Sequence, residues 1–210
     1  GVPRIALPSG VRITKIILGH TGIEAELYQT EKIAKLNTSC LVCTDKSVRT
    51  VIYFHGGGYA SCSVATHRHF LGNLCSKEVQ VVAISYRKPP THKYPAAVSD
   101  AVRSYRFLLN QGRGGLCPNR IIFGGDSAGG GLCLSAIIAL KEMKCPLPAA
   151  CFLLSPWVDL RDYTRPSWSS ETTTDFLNKD IYNINLLIDN FLLKLQNRSD
   201  EVYETVEQNS

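Results

Sequence analysis

The sequence predicts an α/β fold, a mostly parallel sheet with helices on both faces, and three observations carry that reading. Apolar runs of strand length recur, stretches of helical period separate them, and one glycine-flanked turn joins a strand directly to a helix. With 210 residues, 44% of them apolar and 20% charged, the chain can bury a sizeable core and is too hydrophobic for disorder, so a single domain over 1–210 is expected.

The elements follow in order. Val11 to Leu18 is rich in β-branched residues, and Ile23, Ala25 and Leu27 alternate with Glu24, Glu26 and Tyr28, the period of a half-buried strand. Gly19 to Gly22 supplies a hairpin turn between them. Thr50 to Phe54 is a short apolar strand running into His55-Gly56-Gly57-Gly58. Thr66 to Lys77 places Phe70, Leu71, Leu74 and Cys75 on one helical face, and Val79 to Ser85 is a continuous apolar run suited to a buried parallel strand.

Pro95 sits at a first-turn position, and Ala97, Val98, Ala101, Val102, Tyr105, Leu108 and Leu109 line one side of a helix ending before Gly112. Arg120 to Phe123 reads as a strand, Gly129 to Met143 as a helix, and Ala149 to Leu154 as a further strand. After Asp159 the composition turns polar, and Phe176 to Leu195 then resumes a helical pattern. We read 160–196 as a cap or lid segment, with a surface helix packed on the sheet as the alternative.

Composition excludes several classes. The net charge of +5 comes from 23 basic and 18 acidic residues with no run of like charge, so no nucleic-acid partner is expected. Eight cysteines lie mostly in apolar segments and read as reduced core thiols; Cys40 and Cys43 form a C-x-x-C pair with no second pair to complete a zinc site. No metal and no cofactor are expected. No window has the roughly 18 apolar residues of a membrane span, and no signal-peptide pattern precedes the domain, which favours a cytoplasmic setting. Because the first residue is Gly1, the chain is expected to be a piece of something longer. The triplets beginning at Asn37 and Asn197 fit the glycosylation pattern and arise often by chance.

Gly125-Asp126-Ser127-Ala128-Gly129 fits G-x-S-x-G, and its context gives it weight: a strand ends before the serine and a helix begins after it. Such a turn is strained, needs glycine on both sides, and presents the hydroxyl at a helix N-terminus that favours developing negative charge. Three glycines after His55 at another strand end leave N–H groups uncovered, and together these features make an oxyanion hole.

His55-Gly56-Gly57-Gly58, Tyr86-Arg87, Tyr94-Pro95-Ala96-Ala97, Gly125 to Gly130 and Ser155-Pro156-Trp157 follow one another in the order of a known family's motifs. From about Val11 to Leu195 the chain resembles the hormone-sensitive-lipase-like branch of the α/β-hydrolase fold. The resemblance implies Ser127 as the nucleophile of an esterase or lipase-like enzyme, and Gly57, Gly58 and Ala128 as the residues whose N–H groups hold the oxyanion. It makes His55 structural. Asp100 matches a family position and is read as structural, with Arg87 as its expected partner.

One departure stands against the match. The fold orders its partners serine, acid, histidine, yet His20, His55, His67, His69 and His92 all precede Ser127. The domain is therefore expected to be C-terminally truncated. Asp159 reads as structural, not as the triad acid, and His67 and His69 read as lid or core contacts, not as substitute bases. Truncation would leave the strand at Ala149 to Leu154 as an apolar edge, which invites aggregation or dimerisation. Two functions follow: a serine carboxylic-ester hydrolase acting on a small-molecule ester through an acyl-enzyme, or a non-catalytic ligand-binding or receptor-like member of the fold.

Overall fold

A computed structural model describes residues 7–36, 42, 44–110, 115–160 and 191. Among these, the apolar runs build β1 (Val11–Ile17), β2 (Glu24–Thr30), β3 (Arg49–Phe54), β4 (Val79–Ile84), β5 (Ile121–Asp126) and β6 (Ala150–Leu154). The helices are α1 (Glu31–Leu36), α2 (Arg68–Cys75), α3 (Ala96–Leu109) and α4 (Ala128–Glu142). One sheet runs in the order β1-β2-β4-β3-β5-β6. β1 and β2 form an antiparallel hairpin and β2 runs antiparallel to β4, while β4, β3, β5 and β6 are mutually parallel.

The central strands are apolar throughout because both faces are covered. On one face Val98, Val102 and Tyr105 of α3 and Leu132 and Leu140 of α4 pack over Ile52, Phe54, Val82 and Phe123. On the other, Leu71 and Cys75 of α2 pack over Val51, Tyr53, Val81 and Ala83. Successive residues of β3 thus serve different helices, and each aliphatic side chain so buried stabilises by about 1.5–3 kcal/mol.

Three local expectations change. The alternation over Ile23 to Tyr28 does not give a half-exposed strand, since Glu26 and Tyr28 are buried along with Ala25 and Leu27. The reason is Arg68 of α2, which reaches across that face to pair with the Glu26 carboxylate, while the Tyr28 hydroxyl donates to Glu26 Oε2 at 2.8 Å. The helix after the glycine loop begins as a 3-10 turn, Val64–His67, and Phe70 is exposed at its rim, touching Tyr53 at a ring separation of 5.5 Å. The short α1 carries no long apolar period that would mark it along the chain.

Among the described residues β6 pairs only with β5 and closes that side of the sheet. No helix among them is long and apolar enough to cross a membrane. The cap reading over 160–196 lies outside the described residues except at 160 and 191, as do the Cys40–Cys43 pair, Asn37 and Asn197. Phe191 is helical and buried, its ring stacked on Tyr59 at 3.8 Å and its carbonyl accepting from the Tyr94 N–H.

Candidate functional site

The topology itself marks a crevice. β3 and β5 are neighbours, with Phe54 opposite Gly125, yet the chain leaves β3 toward α2 on one face and leaves β5 into α4 on the other. Between two such divergent connections the carboxyl ends of the strands open a gap, which is where open α/β sheets bind ligands. His55 to Gly58 follow β3 and Ser127 follows β5, so residues far apart in sequence meet at one place.

At the second of these ends Ser127 has φ 50° and ψ −118°, a backbone conformation that non-glycine residues adopt only under constraint. The constraint is visible. Its N–H donates to the Leu154 carbonyl at 2.9 Å, and its carbonyl accepts from Trp157 and Gly131. Gly129 lets α4 start this close to the sheet, because a Cβ there would lie 2.0 Å from the Phe54 carbonyl oxygen. Ser127 remains half-exposed while Ala128 behind it is buried.

The glycine loop is shaped by a similar need. Gly57 has φ 111°, and a side chain on it would run into the Ser61 carbonyl, which receives no slack because the Gly57 carbonyl accepts from both Ala60 and Ser61. Gly57 and Gly58 are partly exposed. Among the described residues no partner takes the N–H of Gly57, Gly58 or Ala128.

Sequence reasoning missed what ties loop and turn together. The Asp126 carboxylate accepts from the Tyr53 hydroxyl at 2.7 Å and from the Gly56 N–H at 2.9 Å, and lies 3.2 and 3.3 Å from His67 Nε2. One side chain thus binds β3, the glycine loop and the turn before α2 to the residue preceding Ser127. Burial alone would raise the Asp126 pKa, but the bonds from His67 and Tyr53 outweigh it and hold the carboxyl below its usual range. His67 moves the other way: the bond to Asp126 outweighs burial and raises it. Its Nδ1 faces the Ser63 carbonyl at 3.2 Å, so acceptors stand at both ring nitrogens, the arrangement that favours imidazolium. The only signal was the position of Asp126 inside the serine motif.

The remaining expected residues fall as follows. His55 is buried and stacked on Tyr86 at 4.5 Å, with Nδ1 donating to the Gly56 carbonyl; burial holds its pKa down to about 4, a neutral structural histidine. His69 is exposed on α2 beside Asn73. Asp100 is 1% exposed and receives Arg87 through Nε, Nη2 and the backbone N–H, as anticipated. Asp159 is half-buried in the coil after β6. Among the described residues no cluster of three His, Cys, Asp or Glu side chains could hold a metal.

A family model described as alpha/beta hydrolase fold matches residues 51–209. An acetyl-hydrolase of Streptomyces hygroscopicus is 48% identical over 116 residues, 53% of this chain and 37% of that protein. Arylacetamide deacetylase-like 3 of Homo sapiens is 39% identical over 98 residues, 46% of this chain and 24% of that one. The crystal structure of an esterase from the bacterial hormone-sensitive lipase family superposes with a TM-score of 0.76 at 30% identity, covering 96% of this chain and 61% of that chain. The chain spans less than half the length of these curated relatives and about three-fifths of the solved esterase.

Proposed function

Because the chain belongs to the hormone-sensitive-lipase-like family of the α/β-hydrolase fold, we propose that Ser127 is the nucleophile of a carboxylic-ester hydrolase. The observation that carries the reading is the constrained turn: a half-exposed serine at φ 50°, one strand away from a glycine loop whose N–H groups have no partner among the described residues. In this scheme Ser127 Oγ attacks the carbonyl carbon of a small or medium acyl ester. The carbonyl electrons move onto oxygen, which the N–H groups of Gly57, Gly58 and Ala128 stabilise, each donor contributing about 2.7–4 kcal/mol to the barrier difference. Collapse expels the alcohol and leaves an acyl-serine that water hydrolyses.

The serine proton needs an acceptor. His67 is engaged at both nitrogens and His55 is bonded to the Gly56 carbonyl, so neither is a base for Ser127. These 210 residues by themselves are therefore expected to acylate slowly, with catalysis of roughly a thousandfold over water from oxyanion stabilisation and binding alone. The same engagement favours the second reading, a ligand-binding member of the fold that keeps the pocket without turnover.

Covalent labelling separates the two. Incubated with a fluorophosphonate, the chain is expected to gain one adduct that peptide mass spectrometry places on Ser127, and Ser127→Ala is expected to gain none. An adduct elsewhere, or no adduct after prolonged exposure of a folded protein at about pH 9, where hydroxide can take the serine proton, would remove the nucleophile assignment and leave the binder.

A further inference from the structure

Away from the serine turn, a cleft of about 300 Å³ opens between the loop after β4 and the first turns of α3, and Arg87, His92, Lys93, Ser99 and Arg103 line it. No carboxylate lines it among the described residues. Asp100 offsets the charge of Arg87 from behind, while Lys93 and Arg103 have no ion-pair partner among the described residues.

Both guanidinium groups are held before any ligand arrives. Asp100 takes Nε and Nη2 of Arg87, leaving Nη1 unused, and Arg103 Nη2 donates to the Thr21 carbonyl at 3.2 Å with its other N–H groups to spare. Such prior fixing removes much of the ordering cost of binding. The helix adds to the field: α3 starts at Pro95 without a side-chain cap, so the positive end of a 14-residue helix faces the same cleft.

Ser99, 4% exposed, also lines the cleft, so its hydroxyl can donate to an oxygen-bearing anion bound there.

We propose that this cleft binds a small, multiply charged oxyanion, with Arg103 and Lys93 providing charge, Arg87 a pre-positioned N–H, and Ser99 a hydrogen bond. The volume leaves room beside the charged group for an organic portion, as in a phosphate monoester or a polycarboxylate. The site is independent of the ester chemistry assigned to Ser127.

The test is calorimetric titration of the whole chain with inorganic phosphate and, separately, with citrate, at fixed ionic strength with chloride as the balancing anion. Saturable one-site binding of either anion is expected, and the tighter of the two identifies the ligand class. Lys93→Gln and Arg103→Gln are each expected to weaken it about tenfold, the loss of one charge-assisted hydrogen bond. Lys93 is exposed, so its variant keeps the test valid if Arg103→Gln fails to fold. Absence of saturation with both anions, affinity unchanged in Lys93→Gln, or binding lost in Ser127→Ala would each overturn the proposal.

Discussion

Two ion pairs fasten loops at the carboxyl end of the same sheet, and they are built from different chemistry. Arg87 and Asp100 join the loop after β4 to α3 through a permanently charged guanidinium and a carboxylate that is 1% exposed. His67 and Asp126 join the turn before α2 to the serine turn through a titratable ring, with both side chains partly open to solvent. The first is a fixed structural tie, because an arginine stays charged at any pH the protein survives. The second is conditional, and it is the one attached to the glycine loop.

The largest expected effect breaks the fixed tie. Arg87→Ala leaves the Asp100 carboxylate buried with the backbone N–H of residue 87 as its one donor among the described residues. Urea denaturation is expected to show a loss of about 2–3 kcal/mol, between the exposed and fully buried cases, because Asp100 is buried while the Arg87 side chain is 41% exposed. A loss below about 1 kcal/mol would mean that Asp100 is solvated in the native protein and would erase the contrast with His67.

A smaller effect sharpens the other side. Asp126→Asn keeps an oxygen for the Tyr53 hydroxyl and the Gly56 N–H but withdraws the negative charge from His67. We expect about 1–2 kcal/mol of destabilisation and a fall in the His67 pKa, followed by the ring-proton resonance in NMR. An unmoved His67 titration would show that Asp126 does not hold the imidazolium.

These two ties were not equally legible in the sequence. The structural role of Asp100 came from a matching position in a family pattern, with Arg87 only one candidate partner for it, and the glycine loop, Ser127 and the strand–helix alternation around them were readable because each is a local rule: a turn needs glycine, a doubly covered strand is apolar throughout. Asp126 was hidden although it stands inside the serine motif. Its role depends on Tyr53, Gly56 and His67, which reach it only after β3 and β5 become neighbours, and no spacing along the chain encodes that adjacency. Glu26 failed for the same reason, since alternation marked it as exposed and only the arrival of Arg68 from α2 made it a buried partner.

The smallest effect tests the conditional nature of the His67 tie directly, through His67→Gln. The His67 pKa is raised from its ordinary 6.5, so its contribution is complete below that value and disappears as pH climbs through the raised folded pKa. The Asp126 pKa is lowered from 3.8, so that contribution is complete above 3.8 and disappears as pH falls through the lowered folded pKa. The stability difference between the native protein and His67→Gln is therefore expected to be about 1 kcal/mol on a plateau between those two ordinary values, shrinking as pH rises beyond 6.5. Urea curves collected across this range measure it. A His67→Gln deficit that grew above neutrality would mean that the neutral ring makes the stabilising contact, and the two ties would then differ in location alone.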